Sequence, residues 1–598
     1  MPASSPFTAT SDLTTFALVA NGRELDGSYQ VLSIQVVSAL NRLPFAQVEL
    51  VDGSAAQGAF PLSASTTLAP GVTLEVKLGY HGDNQTVFSG VVTRQAIRKR
   101  GKGPAVLQVE ARDKAVKMTL SRGSAIFTDT TDSEVLGKLI RAHGLSAKVA
   151  STSPKLKELT QFYSTDWDFL VTRAEANGMV VAVNAGTVSV VAPDPSTSPA
   201  LGVTFGTDVL DFRLEEDAPS QWSSVRCSSW DYKSQKMIEA TAKVSEANAL
   251  GSPSSKKLAE VASPSEVEFQ SSAPWAQDSL KAWAQGLMLR SELAKIRGEV
   301  RFQGSSKVEP GKTLSLEGFG DRFDGTAFLS AVTHDVAEGR WTTRVEVGLE
   351  EKPFVETVPV TGPAAAGLLP GVVGLQNGVV KQIDKDPDGN VRVLVQIPVV
   401  GMKDGVWARL GSPYATSKAG IFFYPEVGDE VILGFVNEDP GNPIILGSLY
   451  SGSKKAPPFT PDAKNSHKAI KTNAGLEILF DEEGKVLTLQ TPHGNKLVLS
   501  DEGDTITLQD KHENQIKMSA TGIEIKSATK LTLTGKTGVS VQASVGNVEI
   551  SAEAGKVEAS GLEVELSAEI ELKASGTAKA SLQAAGETSI QGALVRIN

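Results

Sequence analysis

Beyond Phe480 the sequence contains no Phe, Tyr or Trp, and beyond Pro492 it contains no proline. The 598 residues include a single cysteine, Cys227, so no intrachain disulfide can form. Stability must therefore come from burial, which fits synthesis in a reducing compartment. Lys and Arg number 58 against 69 Asp and Glu, a formal charge of −11. That deficit of cations argues against sequence-independent nucleic-acid binding and against attachment to anionic lipid by charge alone. No segment approaches the ~20 apolar residues of a membrane span. The opening residues lack a basic stretch followed by an apolar run, so no secretory signal is expected.

What the tail does contain is alternation. Leu497 and Leu499, Ile506 and Leu508, Ile523 and Ile525, Leu531 and Leu533 each sit two apart. So do Val539 and Val541, Val548 and Ile550, Val564 and Leu566, Ile570 and Leu572. That is the period of a strand, whose side chains point to opposite faces in turn. Glycines from Gly522 to Gly592 break the tract at short intervals, as corners between short strands require. Thin aliphatic strands without aromatics cannot close an ordinary core. They bury one face only against neighbouring coils of a solenoid or against identical chains in an intertwined oligomer. Either arrangement predicts a rod.

The rest of the chain reads as mainly β. Residues 1–130 form a first strand-rich block, with VLSIQVVSAL, AQVELVDG, GVTLEVKLGY, TVFSGVVTRQAI and AVLQVEARD as strands. Residues 131–195 read as a small α/β insert. Thr131 and Glu134 have capping-box spacing ahead of Val135, Leu136, Leu139 and Ile140, and Gly144 is the stop. A second helix is expected across residues 166–177, burying Trp167, Leu170, Val171 and Ala174. Strands return over residues 196–351, interrupted by one helix with Pro274 in its first turn and Leu280, Trp283 and Leu287 on one face. Two separated strand blocks of similar size suggest two related barrels. Residues 352–370 read as a Pro/Gly/Ala linker. Five short strands over residues 371–452 suit a small barrel of the OB type. A second linker, residues 453–475, leads to the rod at residues 476–598.

The barrel carries a family resemblance. VRVLVQIP, VWARL and FFYPEVGDEVILGFVNEDPGNPIILGSLYSG resemble the OB domain of the VgrG-like spike proteins of contractile injection systems. These are the type VI secretion systems, contractile phage tails and phage-tail-like particles. LNRLPFAQVELVDG, TVFSGVVT, TDSEVLGKLI and QFYSTDWDFLVTRAEANG look like the family's baseplate-hub portion. QGALVRIN looks like the terminus of members that stop at the needle.

The resemblance implies two hub β-barrel domains with a small α/β insert, an OB-fold neck and a C-terminal trimeric intertwined β-helix, or prism. It implies a homotrimer whose pseudo-six-fold hub caps the inner tube, contacts baseplate proteins and bears a needle that pierces the target envelope. It further implies a conical PAAR-type tip protein on the needle, with any effector held as a separate, non-covalent chain. The last residues, Ala593, Leu594, Val595, Arg596, Ile597 and Asn598, are the expected tip contact. Assembly is expected in the bacterial cytoplasm, with delivery on firing. The aliphatic member of each i/i+2 pair should face the trimer axis, where Phe or Trp would not fit.

Other chemistry finds little support. His81, His143, His334, His467, His493 and His512 show no HxH, HExxH or Cys/His cluster, so no metal or other cofactor is expected. His143 before Gly144 reads as a cation at a helix C-terminus. There is no GxSxG nucleophile elbow and no GxxxxGK[ST] phosphate loop. Cys227, in an alternating strand, reads as a small core residue. Carboxylate pairs such as Glu215/Glu216 and Asp501/Glu502 read as solvated loops, and no inserted domain could frame a sugar cleft. The chain is therefore expected not to be an enzyme. Residues 384–390 resemble a calcium loop but lack its twelve-residue spacing and terminal Glu; they read as a turn with Gly389 at positive φ. Phe422, Phe423 and Tyr424 beside Glu426, Asp429 and Glu430 read as subunit packing and not as base stacking. A trimeric tail fibre or adhesin, and a spike carrying an envelope-degrading enzyme, are the alternatives.

Overall fold

A computed structural model describes residues 4–7, 13–99, 101–262, 264–457 and 461–597. The chain divides into two compact units, Met1–Ser448 and Leu449–Asn598.

In the first unit, the two strand-rich blocks do not end at separate edges. One 13-stranded sheet runs through both, its main path of eleven strands in the order Val209–Glu216, Ile296–Gln303, Arg340–Val347, Gly325–Ala337, Val31–Ala39, Phe45–Val51, Ala105–Arg112, Asp83–Lys99, Thr73–Tyr80, Thr14–Ala20, Arg23–Glu24, with Thr313–Glu317 branching from Gly325–Ala337 and carrying Gly202–Thr204. The seam is the antiparallel pairing of Val31–Ala39 with Gly325–Ala337, in register from Ala39 opposite Ala331 to Ser33 opposite Ala337. Alternation decides which face is buried: Ala46, Val48 and Leu50 of one strand lie in the core with Val109 and Ala111 of its neighbour. A second cluster, with Val300, Phe302, Leu314, Leu329 and Val345, fills the other block.

The insert has the predicted capping box. Thr131 Oγ1 accepts from Glu134 N, Glu134 Oε2 accepts from Thr131 N at 2.8 Å, and α1 runs Asp132–Ala142. The second helix, α2, is Asp166–Ala176 and buries Trp167, Leu170, Val171 and Ala174 as expected. Sequence reading missed α3, Ser255–Ala262, because prolines and serines precede it. The next helix, α4, is Gln277–Leu293, so Pro274 lies ahead of its first turn and not within it. Leu280 and Leu287 are buried on its inner face, and Trp283 packs partly against the same cluster. Gly286 of α4 meets Gly178 behind α2 so closely that a Cβ on either would overlap the other's backbone.

The five expected neck strands close a barrel in the order Gln376–Gln382, Val393–Gln396, Val406–Leu410, Pro443–Leu449, Glu430–Phe435. Val380, Val393, Val395, Ala408, Val431, Leu433 and Ile445 fill it. The 384–390 turn is held by Asp386, which accepts from the backbone N–H groups of Asp388, Asn390 and Arg392. The Arg392 guanidinium bonds the same carboxylate and holds it far below the usual carboxylate range. Gly389 has φ +66°.

Candidate assembly face

In the second unit, residues 467–526 fold into a seven-stranded antiparallel meander: His467–Lys471, Glu477–Asp481, Val486–Gln490, Lys496–Ser500, Thr505–Gln509, Gln515–Ser519 and Gly522–Lys526. The register places the expected i/i+2 pairs opposite one another. One column runs Ile470, Ile478, Leu489, Leu497, Leu508, Ile516, Ile525 across all seven strands. Beside it, Phe480, Leu487, Leu499, Ile506, Met518 and Ile523 form a second column that begins at Lys468. The opposite face carries Lys471, Glu477, Gln490, Lys496, Gln509, Gln515 and Lys526 in a polar column. Within it Glu477 accepts from the side chains of Gln490 and Lys471, and these donors lower its pKa. The sheet is thus two-faced, and a one-residue slip at any hairpin would exchange the faces.

Among the described residues, nothing shields the apolar face from water. Leu508 is 52% exposed and Ile506 42%, although each belongs to an unbroken ladder of aliphatic neighbours. A narrow stripe two side chains wide and about 29 Å long, at ~4.8 Å per strand, is left open to water. Such a stripe marks an association surface.

From Ser527 onward the picture changes. No strand and no backbone–backbone hydrogen bond is present among the described residues beyond this point. Every described residue of 528–597 is exposed, including Leu531, Val541, Ile550, Leu566 and Leu572. The pairs predicted as strands there do not form strands in the single chain. A strand needs a partner for its N–H and C=O groups, and here the chain supplies none. Ala593, Leu594, Val595, Arg596 and Ile597 are exposed at the end of this tract, and Asn598 lies outside the described residues.

The other candidate groups fall outside any shared site. His143 caps α1, its Nε2 lying 2.7 Å from Asp166 Oδ2. Cys227 is buried, and desolvation pushes its thiol up to about 12, leaving it an inert core residue. Phe422 and Phe423 are exposed, whereas Tyr424 meets Phe422 at a tilt of 42°, with 4.7 Å between ring centroids, and donates to Val391 O at 2.7 Å. Among the described residues no group of three His, Cys, Asp or Glu side chains could hold a metal ion. No described helix is long and apolar enough to cross a membrane.

Residues 486–598, most of the meander and all of the unpaired tract, match the family model of the phage baseplate V C-terminal trimerisation domain. Residues 376–450 match the type VI secretion system/phage-baseplate injector OB domain, and residues 10–338, more than half of the chain, match the Alg8 N-terminal domain. This chain belongs to the Alg8 N-terminal domain family and is a VgrG-like spike. It is similar to the type VI secretion system spike protein VgrG3 of Vibrio cholerae serotype O1, with 42% identity over 62 residues, 10% of this chain and 6% of that protein. It is also similar to the spike protein VgrG1b of Pseudomonas aeruginosa, 26% identical over 231 residues, 36% of this chain and 30% of that protein. The matches span under a third of the length of either relative. Among solved structures, the 43 kDa tail protein of prophage MuSo2 from Shewanella oneidensis aligns over 56% of this chain and 99% of its own, at 12% identity and a TM-score of 0.44.

Proposed function

We propose that this VgrG-like spike works as a homotrimer whose tail is a braided needle. The observation that carries the reading is the pairing of an uncovered aliphatic ladder with a distal tract that has no backbone partner of its own. Three copies resolve both. Three meanders turned inward would cover their ladders, and three distal tracts wound together would satisfy one another's N–H and C=O groups. Covering the half-exposed ladder contributes on the order of 10 kcal/mol per chain before ordering costs. A net charge of −11 per chain becomes about −33 in the trimer, which favours solubility.

In this reading the spike belongs to a contractile injection apparatus. The N-terminal strand blocks, over residues 1–130 and 196–351 with the insert at 131–195, cap the inner tube and meet the baseplate. The barrel of residues 371–452 forms the neck, and residues 476–598 the needle, which pierces a target envelope. Residues 593–598 carry a PAAR-type tip protein, and effectors ride as separate chains. The protein acts mechanically and not as an enzyme, is assembled in the bacterial cytoplasm and leaves with the particle.

Sedimentation of the full chain with negative-stain imaging tests the core of this reading. A trimeric club with a thin needle is expected. A monomer at micromolar concentration, with a compact tail, would overturn it.

A further inference from the structure

Residues 352–370 read from sequence as a linker, yet the chain there is fastened at both ends. At its start, the Arg290 guanidinium donates to the carbonyls of Glu350 and Lys352 at 2.9 and 3.3 Å. Phe354 packs against the insert's core, and its N–H donates to Glu175 Oε2 at 2.6 Å. The Glu175 side chain is only 8% exposed and gathers two further donors. Asn41 Nδ2 reaches it at 2.8 Å from the turn after Val31–Ala39, and Arg290 Nη2 reaches it from α4. One carboxylate therefore ties the first strand block, α2, α4 and this segment together. Farther along, Arg122 Nη1 donates to Val360 O at 3.0 Å and to Tyr163 O at 3.1 Å. Gly362 lies under the Tyr163 ring, where a Cβ would come within 2.5 Å of it.

The far end is anchored to the neck barrel. Ala365, Ala366 and Gly367 stand consecutively at φ +48°, +55° and +76°, and Ala365 is buried. Gly371 seats against Ala364, and Val372 N donates to Glu438 O at 2.8 Å. Two alanines held in the left-handed region are strained, because their Cβ atoms crowd the following carbonyl.

We propose that residues 352–372 are a strap that couples the neck barrel to the hub, with Glu175 as its buckle and the Ala365–Ala366 turn as a sprung end. Load on the neck passes into α2 and α4 through this strap and not through a slack tether. Strain is stored in the turn, and at the other end the Glu175 carboxylate holds Phe354 while Arg290 and Arg122 hold backbone carbonyls to either side, so the strap loosens once Glu175 is lost. The proposal is independent of how the tail associates.

Hydrogen exchange with mass spectrometry on the full-length protein tests it. In the unmodified protein, the amides of Phe354, Val358 and Val372 should be protected. Glu175→Ala should accelerate exchange over residues 353–362 by about tenfold or more, while Val31–Ala39 and the barrel strands keep their rates. Arg122→Ala, which spares the hub node, should loosen residues 358–363 in the same way should Glu175→Ala fail to fold. Ala366→Gly should slow opening by roughly fivefold, since glycine adopts positive φ without the Cβ clash. Free-chain exchange across the strap in the unmodified protein would overturn the proposal. So would strap rates that neither variant moves, or loosening spread equally over hub and barrel.

Discussion

The tail's two segments share an alphabet of short aliphatics and small polar residues, yet residues 467–526 pair with themselves and residues 527–597 do not. The difference lies in the turns. Five of the meander's six corners, TNAG, DEEG, TPHGN, DEGD and DKHEN, are rich in Asp, Asn and Gly, which tolerate positive φ and bond their own backbone, and the last, Ala520–Thr521, leans on Gly522 at φ +128°. Lys485, Asp504 and Glu513 sit at such corners with φ between +46° and +66°. After Asp510 the chain has no further Asp and after Pro492 no proline, and between Asn514 and the terminus the one Asn is Asn547. Strands without tight reversals cannot fold back on the strand before them. In the proposed trimer their partners come from other chains, and association deepens from a packed face to a braid near Ser527.

The largest effect is expected at the ladder. Leu497→Asp with Leu508→Asp would bury six carboxylates along the trimer axis, at several kcal/mol each, and should give monomers in sedimentation while the hub keeps its circular dichroism. Next, hydrogen exchange should divide that monomeric variant at Ser527. Amides of residues 528–597 should exchange at free-chain rates, whereas strands such as Val486–Gln490 and Lys496–Ser500 keep protection of about tenfold or more from their own pairing. Equal rates on both sides would erase the distinction between the segments. Deleting residues 594–598 should abolish binding of a PAAR-type tip protein in a pull-down and leave the trimer intact; retained binding would move the tip contact elsewhere.

The smallest effect is an acid sensitivity of the N-terminal strand blocks that one buried histidine confers. His334 is buried beside Trp341 and Thr343, and desolvation lowers its pKa to about 4. Its unfolded value is near 6.5, so between pH 6.5 and 4 the unfolded chain binds the extra proton. Hub stability should fall by up to about 3 kcal/mol as pH drops through that window, and His334→Gln should flatten the dependence.

Much of this architecture could be read from residue order. The Thr131–Glu134 capping box, the five barrel strands and the i/i+2 ladder are local patterns, and local patterns survive in a single sequence. What could not be read depends on distant partners. Nothing around Val31–Ala39 announces that its edge belongs to Gly325–Ala337, because alternation states a face but not a neighbour. The Pro/Gly/Ala run of residues 352–370 looked slack, since its order comes from Glu175, Arg122 and Tyr163, far away in sequence. At the tail's end the alternation was legible, but a lone chain cannot display strands whose partners lie outside it.

The hub seam also sets a timetable. One edge of Val31–Ala39 must wait for residues 325–337 to leave the ribosome, about 300 residues later and roughly 15–60 s at ordinary elongation rates. Until then the nascent chain presents a bare strand edge, and a truncated transcript would leave it bare for good. Folding of the N-terminal half is therefore tied to the synthesis of its own far end.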